Sequence, residues 1–105
     1  MEKPNLSYIK ELSGGDLDFE AEIITVFKNE FPQELIAYKN SCENNDLKKT
    51  AEIVHKLKHK LSILGLEKGY EAANQYELDL NNNIAGTGLK FDQLLEEITE
   101  YLKKI

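Results

Sequence analysis

An imidazole and an ammonium stand one helical turn apart in the stretch Ala51-Glu52-Ile53-Val54-His55-Lys56-Leu57-Lys58-His59. Both of the chain's 2 histidines lie here. At about 3.6 residues per turn, Lys58 and His59 are the i+3 and i+4 neighbours of His55 on one surface. A neutral imidazole nitrogen is a nucleophile, and a cation beside it suits an incoming phosphoryl group. His55 and His59 with Glu52 also form a possible ligand set for Zn²⁺, although nothing elsewhere is placed as a fourth ligand. Ser62 lacks an orienting partner and oxyanion donors, so it reads as a surface serine rather than a nucleophile.

These residues must be held by helices, because no segment reads as a strand. Leu6, Ile9 and Leu12 mark a short amphipathic stretch ending at Ser13-Gly14-Gly15. Asp16 is placed to cap a long helix, with Asp18, Glu20 and Glu22 near its positive end. Its apolar face carries Phe19, Ile23, Val26, Phe27, Phe31 and Leu35. Pro32 predicts a kink or brief break at Phe31, and the helix should end near Asn44-Asn45.

Asp46 is the next expected cap. Leu47, Ala51, Val54, Leu57, Leu61 and Leu64 follow on one face, ending at Gly65. Leu66, Tyr70, Ala73 and Tyr76 mark a further helix that fades by Leu80. Asn81-Asn82-Asn83 and Gly86-Thr87-Gly88 predict a loop, and Leu89 to Ile105 a last helix. Four long helices with short connections predict an all-α, antiparallel four-helix bundle with a short additional N-terminal helix as a lid.

In such a bundle His55 lies roughly 100° from the centre of its helix's apolar stripe, on the exposed flank. It precedes the turn at Gly65-Leu66 by about as many residues as Glu77 follows it, so both lie about 15 Å from the turn. Glu77 is thereby placed to accept a hydrogen bond from Nδ1 of His55, leaving Nε2 free. Glu52 is expected to pair with Lys56.

Size and charge narrow the function. A chain of 105 residues is a single domain, 1–105, with one modest core. Net charge −6 opposes binding to nucleic acid or to an anionic membrane. Around the histidines the sign reverses, with Lys48, Lys49, Lys56, Lys58, Lys60 and Lys68 nearby. No apolar run reaches the roughly 20 residues of a membrane span, and no secretory signal is evident, so a cytoplasmic, free-standing protein is expected. Its lone Cys42 is expected to be half-buried near a helix end. No large apolar face is left over, which predicts a monomer.

The stretch His55-Lys56-Leu57-Lys58, with Gly65 beyond it, resembles the His-x-Leu-Lys-Gly…Gly signature of histidine-containing phosphotransfer (HPt) domains. The likeness extends over nearly the whole chain, through Leu6 to Asp16, Phe27 to Leu35, Asn45-Asp46-Leu47 and Tyr76-Glu77. It implies a phosphorelay intermediate of two-component signalling, with phosphoryl transfer to and from receiver-domain aspartates. A hybrid histidine kinase would be a further partner. By the same resemblance, His55 is the phosphoacceptor, Lys58 contacts the phosphoryl oxygens and Glu77 holds the imidazole. Mg²⁺ is expected on the partner receiver and no cofactor on this chain, which is then no self-sufficient enzyme.

Docking is expected around His55, with Lys48, Glu52, Lys56, His59 and Ser62 as contacts. Two positions depart from the family pattern: His59 replaces the usual glycine and Gly69 a leucine. The ring of His59 could crowd the acceptor or donate a hydrogen bond to the phosphoryl group. In the crowded case the chain would be an HPt-like docking module that is not phosphorylated.

Overall fold

A computed structural model describes residues 2–84 and 88–105. Five helices run in the order α1 (Ser7–Ser13), α2 (Leu17–Glu43), α3 (Leu47–Ile63), α4 (Glu67–Asn81) and α5 (Gly88–Lys104). There is no strand among the described residues. Each long helix packs on the next, and α5 returns against α2 to close the four-helix bundle. Phe31, Leu57, Leu61, Phe91, Leu95 and Ile98 are fully buried along its axis. The expected loop residues Gly86 and Thr87, like Met1, lie outside the described residues.

The helix starts follow the predicted chemistry. Asp16 accepts hydrogen bonds from the backbone of Asp18 and Phe19, both at 3.1 Å, and Asp46 accepts from Lys49 at 3.1 Å. These side chains satisfy backbone donors that the first helical turn leaves open. α4 has no such local cap. Its donors at Lys68 and Gly69 are met instead by the carboxylate of Glu2, at 2.9 and 3.0 Å. Asn5 adds a backbone bond to Leu64 at 2.8 Å. The N-terminal segment thus crosses the α3–α4 turn and covers that end of the bundle. Gly65 turns there with φ +79°, and a Cβ on it would collide with the Asn5 side chain at 2.4 Å.

Several sequence expectations are corrected. α2 continues through Pro32 without a break. One missing hydrogen bond is tolerated where 27 residues of helix surround it and Phe31 is anchored in the core. Leu12, Phe19 and Val26 are exposed rather than core-facing. α2 has 27 residues against 17 in α3, so at about 1.5 Å per residue it overhangs its neighbour by roughly 15 Å. Cys42 is exposed, not half-buried. Leu89 is also exposed, and α5 begins one residue before it, at Gly88.

Gly69 has a packing reason that the helix scale alone does not give. A Cβ there would meet Leu94 of α5 at 3.4 Å and Leu66 at 3.3 Å. The residue weakens α4 by propensity but lets α5 lie close.

Candidate functional site

α3 and α4 form a tight antiparallel pair across the turn at Gly65, which brings His55 and Glu77 to the same height. Nδ1 of His55 lies 3.0 Å from Oε2 of Glu77. The other oxygen of Glu77, Oε1, lies 2.8 Å from Nζ of Lys58. One carboxylate therefore bridges an imidazole and an ammonium.

Its ionisation follows from the balance of forces on it. Burial pushes the Glu77 pKa up, but the hydrogen bond and charge of Lys58, followed by those of His55, outweigh burial and hold it below the usual range. An ionised carboxylate only accepts hydrogen bonds, so Nδ1 of His55 carries the proton. The lone pair is then on Nε2. With the His55 side chain 54% exposed and that of Glu77 17% exposed, the orienting carboxylate is largely inside and the imidazole reaches solvent.

Lys58 stands differently from the expectation of a free cation beside the acceptor. Its side chain is 9% exposed. Besides Glu77, its ammonium donates to Oδ1 of Asn74 at 3.1 Å and sits 5.7 Å over the Tyr70 ring. From the sequence Tyr70 is read only as an apolar-face position of α4, and Asn74 is not read as a site residue. Yet Tyr70, Asn74 and Glu77 follow helical spacing on one face of α4, and that signal could have found them.

The basic surface is also smaller than the sequence suggests. Lys60 is held at 3.1 Å from Glu30 and 2.9 Å from Glu34, both on α2. Burial lowers the Lys60 pKa, but those two carboxylates more than reverse it, so its charge is kept and compensated. Glu52 pairs with Lys49 at 4.0 Å rather than with Lys56, a turn in the opposite direction along α3. Lys48, Lys56 and Ser62 are exposed. Lys48 and Ser62 flank His55 at seven-residue steps, about 10 Å below and above it on one face.

His59 is exposed, and its ring meets that of His55 edge-on, with centroids 5.2 Å apart and planes at 88°. A shallow depression of about 350 Å³ adjoins His55, lined by Ala51, Glu52, His55, Lys56, Glu77 and Asn81. Among the described residues, no group of three or more His, Cys, Asp and Glu is placed to hold a metal ion. No helix among them is long and apolar enough to cross a membrane. What the arrangement can do is present one oriented imidazole nitrogen to a partner's electrophile.

The family model for the Hpt domain matches residues 22–105. The chain therefore belongs to the Hpt-domain family, the phosphotransfer modules of two-component signalling, which interact with receiver domains and histidine kinases. Comparisons with curated proteins and with solved structures gave no match.

Proposed function

We propose that this Hpt domain is a phosphorelay intermediate, taking a phosphoryl group on Nε2 of His55 from a receiver aspartate and passing it to another. The observation that carries the reading is the 3.0 Å hydrogen bond from Nδ1 of His55 to Glu77, made by an imidazole whose side chain is 54% exposed. In the forward step Nε2 forms a bond to phosphorus while the bond from phosphorus to the aspartyl oxygen breaks. The aspartate leaves as carboxylate, and Nδ1 keeps its proton, so the ring becomes cationic. That new charge lies against Glu77, which stabilises it. The return step reverses these changes on a second receiver.

Phosphoryl transfer depends on in-line positioning and charge stabilisation more than on covalent help from the acceptor's domain. Mg²⁺ is accordingly assigned to the receiver, and no cofactor to this chain. Lys58 acts as an orienting group, since its ammonium fixes the carboxylate that fixes the imidazole. Lys48, Glu52, Lys56 and Ser62 form the docking face around the acceptor. The chain is proposed to act in the cytoplasm as a monomer.

Incubation with a phosphorylated receiver tests the reading. Acid-labile, base-stable phosphate should appear on the protein, vanish in His55→Gln and persist in His59→Gln. The reverse pattern would assign the wrong acceptor. A second reading, a docking module without phosphorylation, is favoured by the ring of His59 standing against His55. Receiver binding with no transferable phosphate would select it.

A further inference from the structure

We infer that His59 is a proton-linked contact of the phosphoryl group: when His55 is phosphorylated, His59 takes a proton from solvent and donates an N–H to a phosphoryl oxygen. The inference rests on the phosphotransfer reading above and assigns to His59 the contact that sequence resemblance gives to Lys58.

Lys58 is poorly free to make that contact. Its ammonium is held by Glu77 at 2.8 Å and Asn74 at 3.1 Å, in a side chain 9% exposed. Moving it to an oxygen on Nε2 of His55 would strip Glu77 of its nearest cation inside the α3–α4 seam. His59 has no such tie. Among the described residues, no hydrogen bond or ion pair engages its ring. Helical side chains lean toward the helix N-terminus, so the ring at 59 covers the surface over the turn that holds His55. The centroid distance of 5.2 Å puts it beside the reacting ring.

The charges around His59 decide its response. His55, Lys56 and Lys60 face it from α3, Glu30 and Glu34 from α2 across a shared depression, and Glu77 from α4 beyond His55. Glu77 is balanced by Lys58, whereas Glu30 and Glu34 together carry one negative charge more than Lys60 offsets. Among the described residues Lys56 has no carboxylate in ion-pair contact, so its charge and the excess carboxylate of α2 nearly cancel around His59 in the resting protein. A phosphoryl group tips that balance with about two negative charges. An opposite charge at this range raises an imidazole's proton affinity by about 1–3 pH units.

The test uses phosphoramidate as a small-molecule donor. Nε2 of His55 bonds to phosphorus as the P–N bond breaks; ammonia leaves, and Nδ1 keeps its proton. The ring titrations of wild type and His59→Gln are followed by NMR between about pH 5 and 8, before and after phosphorylation. The His59 midpoint should rise by about 1 pH unit or more in the phosphorylated protein. In parallel, the transfer equilibrium from a phosphorylated receiver should favour this chain increasingly as pH falls, with a shallower slope in His59→Gln. An unchanged midpoint, or a wild-type slope in His59→Gln, overturns the inference while leaving His55 as acceptor. If neither donor yields phosphohistidine in any variant, the phosphotransfer reading itself fails, and the inference with it.

Discussion

Replacing Glu77 removes two interactions at once, because its two oxygens serve different partners. Glu77→Gln keeps the shape but loses the negative charge that faces Nδ1 of His55 and Nζ of Lys58. Losing a charged hydrogen bond of about 1.5 kcal/mol should slow phosphoryl acceptance about tenfold, read from the initial rate of labelling. The same residue makes stability depend on acid. Its folded pKa is depressed, so the folded state resists protonation more than the unfolded chain does. The stabilisation is complete above the ordinary carboxylate range and is lost as pH falls through the folded value, below about pH 4.5. Urea unfolding at stepped pH should show stability falling in that acid window, and less steeply in Glu77→Gln. Equal slopes would mean that the bridge contributes nothing to folding.

At the scale of the element, α2 carries a proline that it does not need for its shape. Pro32 lies inside a continuous helix with its side chain exposed. An interior proline forfeits one backbone hydrogen bond and crowds the preceding turn. Pro32→Ala should therefore raise stability by about 1–3 kcal/mol in chemical denaturation. A loss instead would show that the ring's shape is required for the packing of Phe31. α4 makes the opposite case, a helix whose start is completed from far away. The cap at Lys68 and Gly69 comes from Glu2. Burial raises the pKa of that carboxyl slightly, but the backbone donors of Lys68 and Gly69 outweigh it and lower the net value.

Across the whole molecule, three helices meet at one polar knot at the edge of the apolar core, where Tyr38 and Tyr76 are buried and Asp92 is exposed. The Tyr38 hydroxyl of α2 donates to Oδ1 of Asp92 on α5 at 2.7 Å, and lies 3.1 Å from the Tyr76 hydroxyl of α4. Burial, with the hydrogen bonds to Tyr76 and Asp92, pushes the Tyr38 pKa far up, so the hydroxyl stays protonated. Its single hydrogen points to Asp92, and Tyr76 must be the donor in the other bond. Phe91 packs between the two tyrosines, with ring centroids 5.4 and 5.5 Å away. Tyr38→Phe leaves both partners short of a bond and should cost about 1–2 kcal/mol in the urea midpoint without loss of helix by circular dichroism. Since Tyr76 precedes Glu77, a drop in labelling rate would also reveal that the knot steadies the site.

Helical periodicity made much of this legible. The apolar rows of α3 and α4 place the two helices face to face, and equal distances from Gly65 align His55 with Glu77. Both features follow from local geometry, which a sequence carries directly. The caps at Asp16 and Asp46 are equally local. The fate of the long charged side chains is not. Lys58 and Lys60 look like free cations in the sequence, and each turns into a seam where another helix supplies a carboxylate. Flexible stems allow many partners, so the choice depends on what the neighbouring helix presents. Exposure of Phe19 and Val26 likewise depends on α2 outrunning its neighbours, and the cap from Glu2 on the N-terminal segment meeting the start of α4 in space. Spacing along the chain determined the helices and the pairing of His55 with Glu77; packing between helices decided which charges remain available to a ligand.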